Sequence, residues 1–141
     1  MNNNLSLEKS KILIDSGVSP DAASLILWTQ VSDWENKPIE KCKWNLVMKP
    51  FRPAVMGFES FKCFDIFSVS DLIKLCPPFV VDGNGVRHGF YMKRCGQNFE
   101  HFDVGYAFTD DYYEISYVED TFADALFKLH NWVKENGHFS S

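Results

Sequence analysis

The 141-residue chain contains no long apolar run, and its first residues do not have the pattern of an export signal. No stretch approaches the ~20 consecutive apolar residues that span a bilayer. The polar start, residues 1–4, lacks the basic and apolar regions of a signal peptide. We therefore expect a cytoplasmic protein that does not enter a membrane.

The chain has four cysteines, and their spacing disfavours the common metal and redox motifs. Cys42, Cys63, Cys76 and Cys95 form no C-x-x-C pair, which is the local signature of zinc sites and of thioredoxin-type chemistry. Because thiols stay reduced in the cytosol, we expect buried or unreactive thiols rather than disulfides.

Signatures of catalysis are missing as well. The sequence has no Walker loop and no G-x-S-x-G element. Gly83-x-Gly85 belongs to the predicted hairpin turn Asp82-Gly83-Asn84-Gly85 and does not lie between a strand and a helix. Asp110, Asp111 and Glu114 cluster at a turn, where solvated carboxylates do not acquire the raised pKa that acid–base work needs. The sequence leaves enzyme activity undecided but favours its absence, and it predicts no cofactor.

Histidines offer one arrangement with metal-ligand character. His101 and Asp103, two residues apart on one predicted strand, would point to the same face. Cys95 or His88 from the next strand would supply a third ligand. The favoured interpretation is that these are polar residues on the solvent face of a sheet, so no metal site is predicted.

The composition is that of an ordinary globular domain. Apolar residues make up 45%, charged residues 23% and aromatic residues 16% of the chain, including 13 Phe. We predict a single α+β domain over residues 1–141, with residues 1–4 and 138–141 frayed. The phenylalanines are interpreted as a sheet core, with an exposed patch for a partner as the alternative.

Two short helices are predicted near the N-terminus. Ser6 is a suitable N-cap for the first helix and Gly17 a suitable end. The sequence Ser19-Pro20-Asp21 has the cap, the first-turn proline and the first-turn acid of a second helix, which we expect to run to about Gln30. The pair is similar to a helix-turn-helix, but its second helix carries no Lys or Arg to contact phosphates, so that function is disfavoured.

The remaining elements are a short central helix, a sheet and a closing helix. The central helix is expected from Ser68 to Leu75, and residues 31–62 are expected to be extended, with a strand at 44–48. An antiparallel meander of about four strands is expected at 79–81, 86–95, 99–108 and 112–118. The helix over 122–136 has one apolar stripe, which predicts that it packs on the sheet. The stripe consists of Phe122, Leu126, Leu129 and Val133.

Three helical stretches resemble a loose group of small uncharacterised proteins encoded by prophages and integrated elements of gut bacteria. They are LSLEKS at 5–10 continued by LIDSGV at 13–18, FSVSDLIKLCP at 67–77, and ADALFKLHNWVKENG at 123–137. Cys76 stands where a second leucine is more usual in that group. The resemblance implies an accessory protein of a mobile element and supplies no catalytic residues.

Charge is unevenly distributed along a chain whose net charge is −5. Residues 36–62 hold six Lys or Arg against two acids, whereas residues 96–141 hold nine acids against two Lys. An acidic surface favours basic partners, so the leading hypothesis is a protein-interaction or regulatory protein. The alternatives are a small-ligand binder or enzyme without a recognisable motif, and a nucleic-acid-binding protein that uses the basic aromatic stretch. The contact residues of that stretch would be Lys43, Trp44, Lys49, Arg52 and Lys62.

Overall fold

The computed structural model describes residues 4–30, 44–49 and 61–137, and its backbone forms two compact units. The N-terminal unit comprises residues 6–68. The C-terminal unit comprises residues 69–141 together with residues 1–5. The expected fraying falls mostly on residues 1–3 and 138–141, outside the described ranges, and the single-domain organisation stays a prediction.

The N-terminal unit combines one helix with a three-stranded antiparallel sheet. The predicted first helix is confirmed: the Ser6 hydroxyl accepts a hydrogen bond from the Lys9 amide, and Gly17 follows the helix with a φ of +114°. The sheet has the order β2-β1-β3. The elements are α1 (Leu7–Asp15), a 3-10 turn (Pro20–Ala22), β1 (Leu25–Gln30), β2 (Asn45–Met48) and β3 (Phe61–Ile66).

The predicted second helix is wrong beyond its first turn. Ser19 does cap a turn, by accepting a hydrogen bond from the Asp21 amide, but Ala23 then adopts extended backbone with ψ of 133°. The chain continues as β1, which pairs with β2 on one side and β3 on the other. Pairing on both sides with distant strands outweighs a helix signal that is worth only a fraction of a kcal/mol per residue, about 0.7 at most. Because the second helix of the expected pair is absent, the helix-turn-helix hypothesis is wrong.

The C-terminal unit is the predicted meander with its helices. Its four-stranded antiparallel sheet has the order β4-β5-β6-β7. Among the described residues, no helix is long and apolar enough to cross a membrane. The elements are α2 (Val69–Leu75), β4 (Phe79–Val81), β5 (Arg87–Cys95), β6 (His101–Thr109), β7 (Tyr112–Glu119) and α3 (Phe122–Glu135).

The closing helix α3 packs on the sheet as predicted. Its contacts are with β6, β7 and α2. Leu126, Leu129 and Val133 are fully buried, and the Phe122 ring lies 4.4 Å from that of Phe102. The Thr121 hydroxyl caps the helix by accepting a hydrogen bond from the Asp124 amide. The sheet face against α3 is the inner face, and the opposite one is the outer face.

Two irregularities in the pairing of β6 with β7 change which residues share a face. Tyr106 pairs with Ile115 but the next residue, Ala107, pairs with Tyr113, so Glu114 is an extra residue in β7. A β-bulge of this kind bends the strand and redirects a side chain. The sequence, in which Tyr113, Ile115 and Tyr117 alternate with Glu114 and Ser116, predicts that the three apolar residues share one face of β7, and the bulge breaks this alternation. Ile115 pairs with inner-face Tyr106, whereas Tyr113 lies on the outer face and is 39% exposed.

Candidate functional site

A polar cluster at one end of the meander centres on Asp82, the first residue of the β4–β5 turn. One carboxylate oxygen, Oδ1, accepts hydrogen bonds from the amides of Asn84 and Val86. The other, Oδ2, lies 2.8 Å from His88 Nε2 and accepts a hydrogen bond from the Tyr112 hydroxyl. The turn chemistry that predicted a hairpin here also fixes the carboxylate in place.

His88 and Glu114 complete the cluster. The His88 side chain is fully buried, and its Nε2 lies 3.8 Å from Glu114 Oε2. Glu114 is the extra residue of the β7 bulge and keeps 30% of its side chain exposed. One ligand atom from each of Asp82, His88 and Glu114 lies within 4.8 Å of the other two. A buried imidazole thus faces two carboxylates, of which Asp82 keeps 7% and Glu114 30% of its side chain exposed.

The electrostatics of the cluster stabilise ionised Asp82. The hydrogen bond with His88, joined by that from the Val86 amide, holds the pKa of Asp82 below its ordinary value. The same carboxylate raises the pKa of Tyr112 through the hydrogen bond it accepts. Two carboxylates close to one imidazole nitrogen create a negative potential that favours a bound cation.

A second feature, the outer groove, lies on the outer face of the C-terminal unit. It is a cavity of about 320 Å³ over the pairing of β5 with β6 and the adjoining end of β7. Small residues permit the concavity, since Gly89 and Ala107 pair directly across the strands. Aromatic side chains and one cation line it. The lining includes Gly89, Tyr91, Lys93, Ala107, Phe108, Asp110 and Tyr113.

Lys93 is the cation on the lining of this groove. Its ammonium lies 5.6 Å from the ring centre of Tyr91 and 5.5 Å from that of Tyr113, and it donates a hydrogen bond to the Tyr113 hydroxyl. That hydrogen bond, with Asp103 and Asp110 nearby, raises the pKa of Lys93. The arrangement shows that the two tyrosine rings accept a cation.

Asp103 lies next to Lys93, beside the groove lining, and is only 7% exposed. It accepts hydrogen bonds from the hydroxyls of Tyr91 and Ser116, and its other oxygen lies 3.9 Å from Lys93. The sequence analysis interpreted Asp103 as a surface residue. Two hydroxyl groups donate hydrogen bonds to this buried carboxylate, which compensates for its removal from water.

The hypothetical metal set of His88, His101, Cys95 and Asp103 is not assembled. Cys95 lies opposite His101 in the register, but His88 is seven residues further along β5, about 23 Å away at ~3.3 Å per residue. His101 instead lies 3.3 Å from Asp120, and Asp103 contacts Tyr91. His88 finds its partners in Asp82 and Glu114, which the sequence analysis took for turn residues.

The predicted nucleic-acid contacts lie in the N-terminal unit or outside the described residues. Lys49 makes an ion pair with Asp65 at 3.1 Å and donates to the Pro20 carbonyl, and the Trp44 ring lies 5.7 Å from that of Phe64. Lys43, Arg52 and the side chain of Lys62 lie outside the described ranges. The stretch thus stays a prediction.

Comparison with models of known protein families, with curated proteins and with solved structures finds no match in any of the three.

Proposed function

We propose that the protein is an interaction protein whose outer groove binds a basic segment of a protein partner. The observation that carries this proposal is the position of the Lys93 ammonium near the rings of Tyr91 and Tyr113. A site that holds the chain's own ammonium by ring faces and a hydroxyl has the chemistry to hold an arginine or lysine from outside.

The size of the groove supports a peptide side chain as the occupant. A volume of about 320 Å³ is at the lower end of ligand pockets, which span ~300–1,000 Å³. It suits one or two side chains better than a large cofactor. Phe108, at 60% exposure, provides an apolar wall that a partner would bury.

The charge around the groove supports a basic occupant. Asp110 is on the lining, and the buried carboxylate of Asp103 lies 3.9 Å from the Lys93 ammonium, so two carboxylates lie near the one cation of the lining. The chain as a whole carries a net charge of −5. Such a surface attracts positive segments and repels nucleic acid, with an effect that salt weakens.

The test is binding of a labelled arginine-rich peptide, followed by fluorescence anisotropy, beside a glutamate-rich peptide of equal length. Phe108→Ser is expected to weaken binding at least about tenfold, the effect of losing about 1.4 kcal/mol. Phe99→Ser is the matched control, because Phe99 is equally exposed, at 63%, but is not on the groove lining. It should leave the affinity unchanged.

The variant Lys93→Met tests whether the groove binds a positively or a negatively charged ligand. Removing the resident cation frees the tyrosine faces, so affinity for the arginine-rich peptide should rise. If Lys93→Met abolishes binding, or the glutamate-rich peptide binds better, the occupant is an anion and the proposal is wrong. An accessory role in a mobile element rests on the resemblance of three helical stretches alone and stays a prediction.

A further inference from the structure

We propose that Asp82, His88 and Glu114 form a binding site for a divalent first-row metal ion, independent of the outer groove. One imidazole nitrogen and two carboxylates are a donor set that such ions take. Neutral His88 with two ionised carboxylates carries a charge of −2, which a divalent ion cancels. No other described cluster brings three such side chains this close.

The spacing of the ligand atoms fits one ion. Bonds of about 2.1 Å at tetrahedral or octahedral angles place ligand atoms about 3.0–3.4 Å apart. His88 Nε2 lies 2.8 Å from Asp82 Oδ2 and 3.8 Å from Glu114 Oε2, which brackets that range. A small rotation of the half-exposed Glu114 closes the longer gap, while Asp82 is already fixed by its turn.

The β7 bulge is the second observation that points to a ligand. If side chains alternated strictly along β7, Glu114 would lie on the outer face, because its neighbour Ile115 lies on the inner face with Tyr106. The bulge instead brings its carboxylate to a buried histidine. Bulges that redirect a side chain are over-represented next to functional sites.

The surroundings of the His88 ring determine how tightly we expect the site to bind a metal ion. Its Nδ1 has no hydrogen-bond partner in the part of the chain that the structure describes. Most metal-bound histidines donate that N–H to an acceptor, which raises their basicity. When Nε2 binds a metal the ring proton must sit on Nδ1, where the buried N–H finds no acceptor among the described residues and therefore costs free energy. We expect moderate affinity, below that of structural zinc sites.

Mn²⁺ is the probe of choice, because it prefers oxygen and nitrogen ligands and leaves the cysteine thiols alone. Titration of the full chain should show saturable binding of one Mn²⁺, and paramagnetic broadening of amide resonances should centre on residues 82–88 and 112–114. Glu114→Gln is expected to weaken binding at least tenfold. Glu119→Gln on the same strand, with a similar 28% exposure, should leave it unchanged.

Two outcomes would overturn the proposal. The first is no saturable binding at millimolar Mn²⁺. The second is broadening that spreads over the acidic surface, or centres on exposed His101 with Glu100 and Asp120, and is the same in both variants. If Glu114→Gln does not fold, the position of the broadening in the unaltered protein decides alone.

Discussion

The close approach of β6 to β7 at Gly105 gives a sharp test of the sheet geometry. A Cβ built at this position overlaps the carbonyl oxygen of Ile115 and comes within 3.0 Å of the Tyr91 hydroxyl. The first obstacle is backbone, which cannot rotate away, so Gly105→Ala must push the two strands apart. We expect a loss at the upper end of the ~1–3 kcal/mol range for overpacking.

The second obstacle adds to this cost. Tyr91 donates to the buried carboxylate of Asp103, and hydrogen bonds to charged groups contribute about 1.5–3 kcal/mol. If the methyl group displaces the hydroxyl, part of that bond is lost as well. The sum is about 3–4 kcal/mol, against a total stability of ~5–15 kcal/mol for a typical domain.

Gly89→Ala is the matched control for Gly105→Ala. Gly89 lies on the same outer face, and a Cβ there meets only the Ala107 carbonyl oxygen at 4.0 Å. It should be neutral or stabilise by ~0.4–1 kcal/mol, because alanine restricts the unfolded chain. Thermal unfolding followed by circular dichroism should show Gly105→Ala melting about 10 °C lower. Equal melting of both variants would refute the register of β6 and β7.

Two further predictions concern the buried side of the C-terminal unit. In urea denaturation, Leu129→Ala should lower the free energy of unfolding by about 2–5 kcal/mol, because Leu129 is fully buried. The control Lys128→Ala removes only an exposed ion pair with Glu119 and should change the free energy of unfolding by under ~1 kcal/mol. If the two unfold alike, α3 does not cover the sheet. Burial raises the pKa of the Cys76 thiol to about 12. At pH 8, iodoacetamide should therefore modify exposed Cys63 and half-buried Cys95 in the folded protein, and Cys76 only after unfolding, which peptide mass spectrometry would show.

Local signals in the sequence predicted the elements whose ends carry caps. Ser6 begins α1 and Gly17 follows its end, as their chemistry requires. The sequence offers Asp120 or Thr121 as the cap of α3, and Thr121 is the residue that caps it. The same kind of signal misled at Ser19, where a genuine cap starts one turn and the chain then enters β1. The identity of β1 depends on strands that begin at residues 45 and 61, and no local pattern contains that information.

The candidate sites were less predictable than the fold. Asp82 and Gly85 were recognised as a turn, but the partners of Asp82 include Tyr112, thirty residues away. The deciding feature is the bulge at Glu114, which has no glycine or other sequence signature and reverses the expected faces of Tyr113 and Glu114. Because side chains alternate with a period of two, one extra residue is enough to move a tyrosine from the core into a groove.

The hydrogen bond between Tyr112 and Asp82 has a consequence for how the sheet opens. β4 has only three paired residues, and a hairpin that short frays in water when it stands alone. Here one carboxylate closes its turn through the amides of Asn84 and Val86 and also binds the start of β7. Asp82 thereby connects the β4–β5 hairpin at one edge of the sheet to β7 at the other edge. They should exchange their amide hydrogens as one cooperative unit rather than strand by strand.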